Sequence, residues 1–396
     1  MDNLLHSLVG AAIGGRLVPS SASAPVRRAV LGAAIVAANV PDLDFAYVWI
    51  TEPPLGFLLH HRGHTHTVAG AMLLAGLILL AVGLWQQPRR QEALSPPRLA
   101  LVIGLAVFSH ILIDAANVFG VVFWYPLSTT WVFGDLSFIF EPWLWMVLGV
   151  PIARSASTTV RSVVLSAVTM AAVAAVAWQL VPIVTLPMLA AAGLAWWRVS
   201  SATCTRRRLT MALVGAATLF ALLGVLSSTS RRHFEREMAG IAPGSAVVDV
   251  VLEPDPGTPW CWSGLVVSLD EGVGGALTIR RGTLSLLSRL WPASSCASAR
   301  LFGAGVGPDD AKALVWVRVW EMPVKQLRAL HANSCHAAAW LRFGRAPMVI
   351  DGSLRDLRLE NPVHENFTAM ALERAPPPCP SSVPPWAPPR ADALDE

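Results

Sequence analysis

Histidines and aspartates of a kind that binds metal ions recur at four places in the first 120 residues. The stretch 58–70 (LLHHRGHTHTVAG) holds four histidines and an arginine within seven residues, directly before a long apolar run. His110 and Asp114 are four residues apart and would share one face of a helix. Asp42 and Asp44 follow Pro41, which can bend a helix, and His6 lies near the chain start. Four apolar segments thus each contribute histidine or aspartate.

Imidazole and carboxylate groups together are the usual ligands of zinc, manganese and iron. Ionisable groups inside a bilayer are costly unless they are paired or coordinated, so a metal site would satisfy several of them at once. We expect one or two divalent ions, zinc first and manganese or iron as alternatives, that make hydroxide available from water. Arg62 could hold an anionic group such as phosphate. Each of these features also has a simpler interpretation. The histidine cluster at 60–66 could be a surface loop, and Asp42 and Asp44 could belong to a helix-end turn. His110 and Asp114 could be a plain hydrogen-bonded pair, and His6 a packed histidine.

The composition indicates a membrane half followed by a soluble half. Hydrophobic residues make up 54% of the 396 and charged residues only 14%, where soluble proteins carry about a quarter. No lysine occurs before residue 229. The pI near 9.0 therefore reflects arginines at helix ends rather than nucleic-acid binding. We expect the lipid bilayer as partner, with a lipid or lipid-linked substrate and no nucleic acid.

Eight apolar segments are expected to cross or enter the membrane: 4–18, 29–50, 67–86, 99–117, 139–153, 161–181, 183–197 and 209–228. Their arginine-rich turns all fall on one side, which the positive-inside rule assigns to the cytoplasm. Both termini and the histidines and aspartates would then lie outside. Arg231 and Arg232 disagree mildly, since they would follow the last helix on the outer face.

Four stretches resemble a known family: MDNLLHSLVGAAIG, NVPDLDFAYVW, HHRGHTHTVAGAML and FSHILIDAANVFGVVFWYPLS. They are similar to the bacterial inner-membrane metal-dependent hydrolases, a LexA-regulated membrane-bound group, over about residues 1–130. The stretch LRFGRAPMVIDGSLRDLRLE resembles the C-terminal domain of longer members more loosely. The resemblance implies a metal-dependent hydrolase with these candidate ligands: His6, Asp42, Asp44, His61, His64, His66, His110 and Asp114. A more distant similarity to zinc-dependent phospholipase C favours phosphoester substrates.

The expected fold is mainly α: a polytopic helical domain (1–230) with a metal site near its outer face, a small α+β domain (231–374) and a proline-rich mobile tail (375–396). Strands are predicted at 246–252, 262–269 and 314–320, and residues 323–344 look helical. His331 and His336, five apart, are treated as structural. Four cysteines in an exported domain permit disulfides, with three pairings open, or are unrelated small residues; Cys204 would be cytoplasmic.

Two function classes follow. The first is a hydrolase at the outer face of the inner membrane, in which Arg62 steadies an anion. A carboxylate, Asp42, Asp44 or Asp114, orients water or takes its proton. The second is a metal-ion transporter or sensor. Transport would need polar groups running on toward the cytoplasm, and segments 161–181 and 209–228 offer none. A purely structural anchor would leave the histidines unexplained.

Overall fold

The structure, a computed structural model, describes residues 2–89, 93–178, 180–270, 275–303, 312–362, 364–372 and 378–394. Each of the eight predicted apolar segments contains a helix. A short helix, α3, lies between the second and third of these segments. The helices of the apolar half of the chain are α1 Asn3–Leu17, α2 Ala24–Ala37, α3 Leu55–His60, α4 Val68–Gln86, α5 Pro96–Ala115, α6 Pro142–Ser155, α7 Thr158–Ala177, α8 Thr185–Ser201 and α9 Thr205–Ile241.

The second predicted segment is broken rather than continuous. Helix α2 ends at Ala37, and two 3-10 turns follow at Val40–Ala46 and Val48–Ile50, bent by 54° from α2. Pro41 has no amide hydrogen to continue the helix. The break therefore presents Asp42 and Asp44 from a turn, beside the helix ends.

Membrane character is strongest on the outer surfaces of α4 and α7. Leu73, Leu77 and Leu80 of α4 are more than half exposed, as are Val163 and Met170 of α7. A helix that is apolar all round and exposed in this way fits a lipid environment. Four described helices, α4, α5, α7 and α9, are long and apolar enough to cross a membrane, and α2 with its bent continuation would make five. Helices α1, α6 and α8 are shorter, so eight crossings stay a prediction.

The arginine-rich turns lie together at one end of the helical bundle. Arg16 donates to Thr210 across α1 and α9, and a cavity of about 370 Å³ is lined by Arg16, Arg27, Arg98 and Arg206. Arg154 lies over the ring of Trp197. The histidines, the aspartates and the C-terminal domain occupy the opposite end, as the arginine pattern predicts.

The C-terminal half is built on an antiparallel sheet of four strands in sequence order, β1 Ser245–Pro254, β2 Cys261–Asp270, β3 Ala276–Ser285 and β4 Leu314–Pro323. Three of these confirm predictions, and β3 was missed. A second sheet holds β5 Pro347–Ile350, β6 Ser353–Asp356 and β7 Met370–Ala371, and the remaining helices are α10 Ala297–Leu301, α11 Val324–Asn333, α12 Cys335–Leu341 and α13 Ala391–Leu394. The predicted boundary at residue 230 falls inside α9, which carries Phe234 into the core with Trp262.

The sheet domain is fastened to the loop between α5 and α6. Arg345 forms a bidentate pair with Asp135 at 2.7 and 2.8 Å, and Arg231 also reaches Asp135 at 3.1 Å. Arg358 donates to the carbonyl of Val118. The arginine at 231 that disagreed with the charge rule thus has a specific acidic partner on the same side.

The structure contains two disulfides, Cys261–Cys296 and Cys335–Cys379, which is one of the three pairings that the sequence left open. Cys204 is free and exposed. The prediction of a mobile tail is wrong for the described residues 378–394. Trp386 is only 1% exposed and its Nε1 donates to the carbonyl of Leu59. The disulfide holds the proline-rich segment to α12, and the buried indole holds it to α3, where composition alone predicted a mobile tail.

Candidate metal centre

The candidate site lies where four segments meet at the end of the bundle opposite the arginine-rich turns. It is made by the first turn of α1, the 3-10 turn after α2, the loop after α3 and the last turns of α5. Gly10 lets α1 approach α2 closely, because a Cβ there would lie 2.6 Å from the carbonyl oxygen of Ala34. This contact brings the amino-terminal turn, with His6, beside the end of α2.

Four side chains form the centre of the cluster: Asp42, His66, His110 and Asp114, with one donor atom from each, all within 4.8 Å of one another. The Nε2 atoms of His66 and His110 are 3.1 Å apart. Asp42 Oδ1 lies 3.5 Å from both, and Asp114 Oδ2 lies 3.4 Å from His66 Nε2 and 3.8 Å from His110 Nε2. Both rings and Asp114 are fully buried.

Hydrogen bonds on the far sides of the rings fix which nitrogens face inward. His110 Nδ1 is 2.7 Å from the carbonyl oxygen of Ala38, which can only accept, so that nitrogen carries the proton and Nε2 presents its lone pair. His66 Nδ1 lies 3.2 Å from Asp44 Oδ2, which favours the same tautomer. Two lone pairs then face each other, and a cation or a proton must lie between them.

These donors fit a first-row divalent ion. Ligands held at about 2.0–2.2 Å around zinc in a tetrahedron are about 3.3–3.6 Å apart. The two imidazole nitrogens lie 3.1–3.8 Å from each other and from the two carboxylates. Two imidazoles and two carboxylates also suit manganese or iron. The four donors therefore fit zinc, manganese or iron and do not select one of these metals.

Asp44 lies one layer behind the four donors and organises the loop after α3. Its Oδ1 is 3.0 Å from His61 Nδ1, and its Oδ2 accepts from the Arg62 amide and the Thr65 hydroxyl. The Arg62 backbone, at φ 63°, is in a region that side chains rarely adopt, and the bond to Asp44 holds it there. A carboxylate behind a ligating histidine orients the ring and raises its basicity.

Arg62, which the sequence suggested could hold an anionic group, is paired within the protein. Its Nε lies 3.1 Å from Asp114 Oδ2, and its Nη1 donates to Asn117 Oδ1 at 2.7 Å. The guanidinium also lies 5.2 Å from the ring centre of Phe119. Its Nη2 makes no hydrogen bond with the described residues, so one nitrogen of the fork is available to an anion.

The other predicted ligands take different places around the centre. His6 stacks on His110 at 3.8 Å and has its Nε2 3.3 Å from Asp114 Oδ1, at the edge of the donor set. His61 forms a second possible group with Asp42 and Asp44. His64 is exposed and contacts the rings of Tyr125 and Trp386, apart from the four donors.

Sequence reasoning missed Thr65, Asn117 and the Ala38 carbonyl, which support the cluster from behind. Thr65 and Asn117 lie within or beside the recognised motifs, yet polar residues next to ligands are common and carry no distinct signal. A third possible group, Asp255 with Cys261 and Cys296, is closed by the disulfide between the two cysteines, which removes their thiolates.

The fold and the cluster together define a helical membrane protein with a buried histidine–aspartate centre at one end of its bundle. The family model described as YdjM inner membrane protein matches residues 1–186. This part of the chain belongs to that family, which confirms the resemblance of the motifs to an inner-membrane family. The metal-dependent hydrolase activity that the resemblance implies stays a prediction.

A relative is found in Bacillus subtilis (strain 168). The protein described as uncharacterized protein YfhP is 30% identical over 149 residues, which cover 37% of this chain and 43% of that protein. The chain thus spans less than half the length of this relative. No solved structure matches the chain.

Proposed function

We propose that this protein is a membrane-embedded metal-dependent hydrolase acting at the outer face of the inner membrane, on a phosphoester or a lipid-linked substrate. The observation that carries the proposal is the 3.1 Å approach of His66 Nε2 and His110 Nε2 with two carboxylates beside them. Asp42, His66, His110 and Asp114 would hold the ion, zinc first, and His6 would support them from the edge.

A bound divalent ion supplies Lewis acidity toward a phosphoryl or carbonyl oxygen and toward water. The protein's own groups then divide the remaining work. Asp42 has the more open of the two carboxylates, with a side chain 10% exposed against 1% for Asp114, and its Oδ2 makes no hydrogen bond with the described residues. Asp42 is therefore the best placed to take a proton from a water molecule.

Arg62 and Asp44 act around the donors. Arg62 Nε neutralises Asp114, and Nη2 is left to bind an anionic oxygen of the substrate. Asp44 holds His66 and the loop from His61 to Thr65 in place, so its part is positioning rather than proton transfer.

The outer placement rests on charge and redox arguments. The arginine-rich turns belong in the cytoplasm by the positive-inside rule, which leaves the cluster and the sheet domain on the periplasmic side. Two disulfides in the sheet domain suit an oxidising compartment.

Transport or sensing of metal ions is the alternative. This alternative is less well supported because α4, which leads away from the cluster, has no ionisable residue over Val68–Gln86. No series of possible metal ligands therefore continues along this helix toward the arginine-rich end.

The test uses purified full-length protein in an uncharged detergent. Metal content and hydrolysis of a chromogenic phosphodiester are measured for wild type, for His110→Ala and for the control His331→Ala, which changes an exposed histidine on α11. We expect stoichiometric metal and hydrolysis in wild type and control, and loss of both in His110→Ala. Metal with no hydrolysis of phosphoesters or carboxylic esters in wild type would favour the transporter or sensor.

A further inference from the structure

A second cavity, of about 390 Å³, lies between the sheet domain and the turn that joins α7 to α8. Its apolar walls include Phe138, Trp178 and Leu180 on the bundle side and Phe302 on the domain side. A volume of this size suits a small-molecule group. None of the four metal donors lines it, so the cavity is a separate site.

Two opposite charges flank the same serine at the floor of this cavity. Glu253 of β1 pairs with Ser263 of β2 in the sheet register, and Arg281 of β3 reaches the hydroxyl of Ser263 at 3.4 Å. All three residues line the cavity. The sheet thus places a carboxyl group and a guanidinium on either side of Ser263 in apolar surroundings.

Neither charge is fully satisfied by the protein. The Glu253 carboxylate makes no hydrogen bond or ion pair with the described residues, and burial raises its pKa to about 8 although Arg281 opposes the rise. Arg281 is 5% exposed and donates to Leu357, yet its Nε has no partner among the described residues. Buried polar groups without hydrogen-bond partners indicate that a ligand binds beside them.

The other acidic and basic groups that line the cavity, apart from the exposed His364, already have partners. Asp255 accepts from the amide of Ser298, and Arg358 forms an ion pair with Asp356 at 2.7 Å. Glu360 accepts from Asn366. Two interaction partners are therefore missing: a cationic group for Glu253 and an anionic oxygen for Arg281.

An exposed tryptophan places the cavity near the expected membrane–water interface. Trp178, directly after the apolar helix α7, is 71% exposed, and tryptophan at a helix end is typical of the membrane–water interface. A ligand that enters past Trp178 would come from the bilayer, with its polar end toward β1 and β3 and its apolar part against Phe138.

We propose that this cavity binds the headgroup of a phospholipid of the phosphoethanolamine type, with the ammonium group at Glu253 and the phosphate at Arg281. An anionic lipid without an amine would leave the Glu253 carboxyl group without a partner. A buried carboxylate with an aromatic wall also favours ammonium over neutral headgroups.

The test is the lipid selectivity of the full-length protein in uncharged detergent, measured by native mass spectrometry. Lyso-phosphatidylethanolamine and lyso-phosphatidylglycerol of the same chain length are titrated separately. We expect the amine lipid to bind about tenfold or more tightly, because one charge-assisted hydrogen bond distinguishes the two. Equal affinities in wild type would overturn the proposal.

Two variants locate the effect. Glu253→Gln removes the charge and should reduce the preference to near unity, while Glu321→Gln, an exposed control on β4, should keep it. A preference retained in Glu253→Gln would contradict the site. Soluble phosphoethanolamine competing as well as the lipid would overturn the bilayer as source. Neither variant touches the metal cluster, so loss of lipid selectivity and loss of hydrolysis are separable.

Discussion

Asp44 and His66 form a carboxylate–imidazole pair, with Asp44 Oδ2 3.2 Å from His66 Nδ1, on the side of the ring that faces away from His110. The same carboxylate accepts from the Arg62 amide, so one side chain sets both the orientation of the ring and the conformation of the loop.

Asp44→Asn should therefore weaken metal binding without abolishing it. The amide keeps an acceptor but loses the charge that raises the basicity of His66, and second-layer changes of this kind cost about ten- to hundredfold in affinity. Competition titration against a chromogenic chelator measures the change. Asp351→Asn, at an exposed turn, is the matched control. Unaltered affinity in Asp44→Asn would show that the pair does not tune the site.

Arg62→Lys separates an anion clamp from a positioning role. Lysine keeps the charge near Asp114 but loses the planar fork, so turnover of a phosphodiester should fall by about ten- to hundredfold while metal content stays normal. A neutral ester with the same leaving group should be affected much less. If both substrates slow equally, Arg62 acts only through Asp114 and Asn117.

Cys204 offers a direct test of orientation. It is exposed, lies beside Arg206, Arg207 and Arg208, and the other four cysteines are in disulfides. A membrane-impermeant maleimide should label it in inverted vesicles and not in intact cells with permeable outer membranes. Cys204→Ser is the blank. Labelling of intact cells would reverse the topology and move the metal cluster to the cytoplasmic side.

Glu253 should make stability depend on pH. Its pKa in the folded protein, about 8, lies above the ordinary value of 4.5 because of burial, so the folded state holds the proton more tightly than the unfolded state does. The stabilisation is complete below about pH 4.5 and is lost as pH rises through about 8.

Thermal unfolding of wild type and Glu253→Gln, compared at several pH values from 5 to 9, measures this contribution. The wild type should lose stability relative to the variant across the range, and the difference should level off above pH 8. A difference that is the same at every pH would mean that Glu253 does not titrate between the two states.

The sequence predicted the apolar helices and the histidines and aspartates that come together in the site. It did not predict strand β3 or the partner of Arg62. His110 and Asp114 could be placed on one helical face from their spacing, and the apolar segments had clear lengths. Strand β3 was missed because its Arg280, Arg281 and Gly282 interrupt the apolar pattern, although Arg281 is buried where it meets Ser263 and Leu357. The pairing of Arg62 with Asp114 depends on a loop conformation that no local pattern encodes.

The indole of Trp386 donates to the Leu59 carbonyl, across 327 positions of the chain, and packs on His64. All four donors of the metal centre, by contrast, come from residues 42–114. During synthesis the donor set can assemble early, while the contact that covers the neighbouring loop must wait until nearly four hundred residues have been made and the last of them have returned to the first helices. We therefore expect assembly in two stages, with an interval in which the candidate centre can form while the neighbouring loop is not yet covered.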